Sequence, residues 1–159
     1  GDLDPAIIMH IIAREELTLN EGNTLLNKHS GLIGVSGVSS DMSEIIESAR
    51  EGHEGASLAL NVYCYRLKKY IGAYAAAMGG LDVIVFTAGV GENAPVVRKL
   101  ATDGLDFLGI KIDTKKNNTA IRKEVDISTR DAKVRTLVIP TNEELVIARD
   151  TERIVKESQ

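Results

Sequence analysis

The stretch "DVIVFTAGVGENAPVVRKL", residues 82–100, decides how the rest of the chain is read. Asp82–Phe86 is rich in β-branched apolar residues and reads as a buried strand. Gly89, Val90, Gly91, Glu92 and Asn93 then form a glycine turn, and a helix starts near Pro95. Such an arrangement often holds a phosphate. Glycines let the backbone approach a ligand, and the unpaired N–H groups of a helix start attract anions. "GVGENA" also fits the relaxed dinucleotide fingerprint through Gly89, Gly91 and Ala94, and Asp113 lies about twenty residues on, where a ribose-binding acid is wanted. A tight strand-to-helix turn without any ligand explains the same pattern. A P-loop is excluded, because no Gly-Lys-Ser/Thr follows.

On the amino-terminal side, Asp4 or Pro5 begins a helix whose stripe is Ile7, Ile8, Ile11 and Ile12. A short helix over Asn20–Lys28 follows. "SGLIGVSGVSS" reads as a loop with a short strand. Asp41 caps a helix through Arg50, with Glu44 completing a capping-box pattern. In the longest helix Ala56, Leu60, Tyr63, Leu67, Tyr70, Tyr74 and Met78 share a face, widened by Leu58, Val62, Tyr65 and Ile71, until Gly79-Gly80 ends it. Beyond the glycine turn, the helix from Pro95 runs to about Asp103. "GLDFLGIKID" reads as a turn and short strand, and "KKNNTAIRK" as a loop or helical turn. "EVDIST" and "VRTLVIP" read as strands, and a last helix starts at Thr141 or Asn142. Helices alternating with buried-looking strands make the class α/β.

At 159 residues the chain is one domain or a large part of one. A net charge of −4 and few aromatics argue against a nucleic-acid partner. No apolar run is long enough to span a membrane, and no secretory signal is visible. Cys64 is the only cysteine, which fits a reducing compartment such as the cytoplasm; it reads as buried and inert. His10, His29 and His53 have no ligand spacing. The tyrosines of the long helix read as core or interface rather than as a cofactor box.

Two further segments carry chemistry. Asp41 and its neighbouring serines satisfy a helix start, and the same loop could lie against a nucleotide. Glu143 and Glu144 sit in a first helical turn, where the dipole favours acids. One of them could serve magnesium, which with phosphates needs only one or two carboxylates.

In combination, "GDLDPAI", "NKHSGLIGVSGVSSDM", "FTAGVGENAPVVR", "GLDFLGIKID" and "VIPTNEELVIARDT" occur in an order and at spacings that closely resemble the acetate kinase family. Each block is common by itself; five in register are specific. The resemblance covers essentially the whole chain and only the carboxy-terminal part of the family's enzymes. It implies a ribonuclease-H-like, actin-like domain, a mixed sheet flanked by helices, incomplete relative to a two-domain phosphotransferase. It also implies that the phosphate is that of ATP or ADP with Mg²⁺.

Carried over by motif, Gly89, Val90, Gly91, Glu92 and Asn93 would be the nucleotide-binding loop. Asp41, Met42 and Ser43 would touch the adenosine, although the family usually has Arg where Ser43 stands. Glu143 matches the magnesium-binding glutamate, and residues 144–159 would form a terminal helix packing on the amino-terminal domain. No catalytic residue is expected within the chain: one catalytic arginine of the family lies two residues before the position of Gly1, and the acetate pocket, with a second arginine and a catalytic aspartate, belongs to the amino-terminal half. The chain by itself is expected to be inactive. The resemblance also implies a homodimer, joined largely through this part. A propionate kinase would share this architecture, and the acyl pocket that separates the two lies elsewhere.

Overall fold

The computed structural model describes residues 3–157. Gly1 and Asp2 of the first block, and Ser158 and Gln159 of the expected terminal helix, lie outside the described residues. The chain divides into two units, residues 1–66 and 67–159, and the division falls inside one long helix.

In the first unit α1 (Pro5–Arg14) is capped by the Asp4 side chain, and α2 (Leu19–Lys28) by Thr18. Thr18 and Glu21 exchange side-chain bonds with each other's backbone N–H, a complete capping box. The stretch expected to be a loop with a strand is instead a helix, α3 (Leu32–Ser36). Gly31 and Gly37 both hold positive φ, 70° and 68°, and so bound a single helical turn. Asp41 caps α4 (Met42–Arg50) by accepting from the N–H groups of Ser43 and Glu44. α5 (Glu54–Met78) is preceded by His53, whose Nδ1 accepts from the N–H of Ala56 at 3.2 Å. Gly55 is needed there, because a Cβ would stand 2.5 Å from the Ser36 carbonyl oxygen.

The expected stripe on α5 is buried only towards its amino-terminal end. Ala56, Ala59, Leu60, Cys64 and Ala75 are buried, whereas Tyr70, Tyr74 and Met78 at the far end are exposed. Small residues thus carry the close packing, and the aromatic stripe faces outward; Tyr70 and Tyr74 stack on each other at 6.3 Å. Gly79, at φ 74°, ends the helix as expected.

The second unit is built on three strands, β1 (Val83–Phe86), β2 (Val125–Asp126) and β3 (Arg135–Val138), in the order β1-β3-β2. β1 runs parallel to β3, with Phe86 beside Val138, and β2 runs antiparallel, with Val125 beside Val138. One core cluster joins Phe86, Ala120, Ile127 and Val138, and a second joins Leu105, Ile110 and Val134. β1 is not buried on both faces: Val83 and Val85 are 46% and 47% exposed, while Phe86 points into the core.

Between β1 and β3 the chain forms α6 (Ala88–Asn93), α7 (Pro95–Thr102), a 3-10 turn (Asp106–Leu108) and α8 (Thr114–Thr119). The strand expected in "GLDFLGIKID" reduces to two isolated bridges, Ile110 to Val134 and Ile112 to Ser128. α9 (Glu143–Glu157) closes the unit, begun by Asn142, whose Oδ1 accepts from the N–H of Leu145 at 3.0 Å. No helix among the described residues is long and apolar enough to cross a membrane.

Candidate functional site

The glycine turn is helical, which corrects its reading as a loop. Gly89, Val90, Gly91, Glu92 and Asn93 are all residues of α6. Two backbone features delimit it. Ala88 takes φ +57°, a left-handed conformation costly for a residue with a Cβ, and lets the chain leave β1 sharply. At the other end Ala94 precedes Pro95, and the residue before a proline is driven from helical to extended geometry. Ala94 at ψ 83° therefore separates α6 from α7. Gly91 lies against β1: a Cβ there would come within 3.1 Å of the Phe86 carbonyl carbon. Gly89 has no such constraint, since a Cβ there would meet nothing within 4 Å.

The turn is held from below by Arg98, whose role was not read from the sequence. Its side chain is fully buried. Nη1 donates to the carbonyls of Gly91 at 2.7 Å and Glu92 at 3.1 Å. Nη2 donates to the carbonyls of Asn117 at 2.7 Å and Ala120 at 2.9 Å, and Nε to Asn117 Oδ1 at 2.8 Å. A guanidinium has five N–H donors, so the whole fork is satisfied by neutral oxygens. Asn117 in turn donates to the Pro95 carbonyl at 2.9 Å. Burial draws the Arg98 pKa down from its ordinary value, but a guanidinium stays protonated. The carbonyls left open at the end of α6 are thereby given charged donors in a place water does not reach.

Glu92 ties the turn to the start of α9. One carboxylate oxygen accepts from both the N–H of Thr141, at 2.6 Å, and its hydroxyl, at 2.8 Å. Asn93 is satisfied within the turn, donating to the Gly89 carbonyl at 2.8 Å. The two Thr141 donors, the N–H first, hold the Glu92 carboxyl below its ordinary value of 4.5. Its contribution to stability is therefore present above that pH and fades as pH falls through the lowered value. The urea midpoint of the parent should exceed that of Glu92→Ala at neutral pH, and the gap should close as pH falls through the lowered value. An undiminished gap in acid would show that the carboxylate charge contributes nothing.

Glu143, the first residue of α9, is exposed, and its carboxylate has no hydrogen-bond or ion-pair partner among the described residues. A solvated, unengaged carboxylate suits Mg²⁺, which keeps most of its waters and takes phosphates as further ligands. Among the described residues, no group of three His, Cys, Asp or Glu side chains gathers as a metal cage.

In the first unit, Met42 is buried and Ser43 exposed at the start of α4. One oxygen of Asp41 accepts from the Ser43 hydroxyl and from the N–H groups of Ser43 and Glu44, and these bonds lower its pKa, the hydroxyl most. Asp113, the acid wanted by the dinucleotide reading, is likewise a helix cap, accepting from the N–H groups of Lys115 and Lys116 at 2.9 and 3.0 Å.

The small mixed sheet flanked by helices makes this an α/β protein. The model of the Acetokinase family matches residues 1–149, and the chain belongs to that family. It is 54% identical over 156 residues to an acetate kinase of Halothermothrix orenii, covering 98% of this chain and 39% of that protein. The crystal structure of the Porphyromonas gingivalis acetate kinase superposes with a TM-score of 0.89 at 48% identity, over 98% of this chain and 39% of that one. A propionate kinase from Francisella tularensis superposes at 0.82 and 37% identity, over 93% and 37%. The chain thus spans about two fifths of the length of the curated relatives it matches.

Proposed function

We propose that the chain supplies the nucleotide side of an ATP:acetate phosphotransferase that forms acetyl phosphate and ADP reversibly. The observation that carries the reading is the joint placement of α6 and Glu143. The open face of Gly89 offers backbone for close approach, and the Glu92–Thr141 bonds fix that turn to the segment bearing the unengaged carboxylate. Asp41, Met42 and Ser43 would meet the adenosine, and Glu143 would hold Mg²⁺, which offsets phosphate charge during transfer. The fold would be the ribonuclease-H-like half of a cytoplasmic two-domain enzyme, here its carboxy-terminal portion. Its acceptor pocket and arginines would stand on the part of the relatives' length that the chain does not span. A hydroxamate assay of the chain with acetate and Mg–ATP should therefore show no product. Acetate-dependent turnover would contradict this division of labour. The likeness to a propionate kinase supports propionate as a second acceptor.

The same reading includes a two-fold dimer. Tyr65, Tyr74 and Met78 of α5 are 63%, 63% and 67% exposed, as interface aromatics would be before assembly. α9 also exposes Leu145, Ile147 and Ile154, so an association through that helix is the competing case. Sedimentation equilibrium should find dimers that charges on α5 dissociate. A monomer throughout the micromolar range would defeat the proposal, and dissociation by charges on α9 alone would move the interface there.

A further inference from the structure

We infer that the Glu92–Thr141 pair is a positioning device that sets the Glu143 carboxylate for the metal, and that Glu92 itself is not a ligand. The inference rests on the reading of α6 as the nucleotide turn and Glu143 as the Mg²⁺ carboxylate. Glu92 is 8% exposed, too enclosed to reach outward as a ligand does. Its receiving oxygen already takes two short, charge-assisted bonds from a residue 49 positions along the chain. On either side of Thr141 the backbone is pinned as well. The N–H of Ile139 donates to the Phe86 carbonyl at 2.9 Å, continuing the β1–β3 ladder, and Asn142 caps α9. Glu143 follows directly. Three successive attachments therefore fix the entry into α9, and only the one through Glu92 links that entry to the glycine turn.

Such an attachment predicts a divided effect. Binding of ATP without metal depends on α6 and should be spared when Thr141 loses its hydroxyl. The gain in affinity that Mg²⁺ brings depends on where Glu143 stands, and should fall. Thr141→Val keeps the shape and the N–H but removes the hydroxyl donor. Thr141→Ser restores it. In Glu92→Gln the amide oxygen can still accept both bonds without charge, so its effect should be smaller than that of Glu92→Ala.

The test is calorimetric titration of ATP into the 159-residue chain with and without Mg²⁺, for the parent and these variants, with amide exchange at Thr141 as a ligand-free readout. Thr141→Val should lose about three- to tenfold of the Mg²⁺ enhancement with metal-free affinity unchanged; Thr141→Ser should retain it, and Glu92→Ala should speed exchange of the Thr141 amide. Full enhancement in Thr141→Val overturns the inference while leaving the nucleotide reading in place. An equal loss with and without Mg²⁺, or a Thr141→Val chain that fails to fold while Glu92→Gln behaves like Glu92→Ala, also overturns it. A parent chain that binds no ATP removes the nucleotide reading, and this inference with it.

Discussion

Replacing Arg98 by alanine is expected to cost about 3 kcal/mol of stability or more. The side chain is fully buried, and its removal strands the carbonyls of Gly91, Glu92 and Ala120 and the Asn117 side-chain oxygen, while the Asn117 carbonyl keeps the Ala120 N–H at 3.3 Å. Each such orphan costs about 1–3 kcal/mol where water cannot enter. Arg98→Met would fill much of the volume and restore none of the donors, so it should remain closer to alanine than to the parent. Arg98→Lys brings a charge but no planar fork, and should fall between them. Urea denaturation followed by circular dichroism measures the series. A loss of less than about 1 kcal/mol for alanine would show that other donors reach these oxygens.

Gly91→Val is the second large effect. A Cβ at this position meets the Phe86 backbone at 3.1 Å, and a branched side chain must push α6 away from β1. Strain of this sort costs about 1–3 kcal/mol, and the displacement moves the turn that the proposal gives to the phosphates. Both stability and ATP affinity should fall. A variant that bound ATP as well as the parent would show that the turn is not the site. The two losses share one cause, so this position alone cannot separate a packing glycine from a ligand-facing one.

The parts of the fold legible in the sequence were those whose cause is local. Pro5 in the first turn of α1, Asp41 before α4 and Gly79 after α5 each carry their signal within a few residues, and each stands where expected. The helical turns at Leu32–Ser36 and Ala88–Asn93 were hidden because glycine-rich composition signals a loop, whereas here glycines bound one turn and pack the other against a strand. On α5, Ala56, Leu60 and Cys64 are buried as expected, whereas Tyr70, Tyr74 and Met78 of the same stripe are exposed, because apolar periodicity marks a face and not how far along the helix it is covered. Arg98 and the Glu92–Thr141 pair had no local signal. An arginine in an amphipathic helix reads as surface, and a bond across 49 positions leaves no periodicity to detect. The family resemblance, in contrast, lay in five motifs in register and named the turn and Glu143 together.

Gly89 separates packing from binding, and it offers the most direct test of the claim that α6 receives the phosphates of ATP. A Cβ there meets nothing within 4 Å, and alanine favours a helix over glycine by about 1 kcal/mol. Gly89→Ala should therefore be at least as stable as the parent. Mg–ATP and, separately, NAD are titrated calorimetrically into both chains. The account predicts that the parent binds Mg–ATP in preference to NAD, and that Gly89→Ala loses about tenfold in ATP affinity, or about 1.4 kcal/mol, with no loss of stability. Equal ATP affinity in the two chains, or NAD bound in place of ATP, would contradict it.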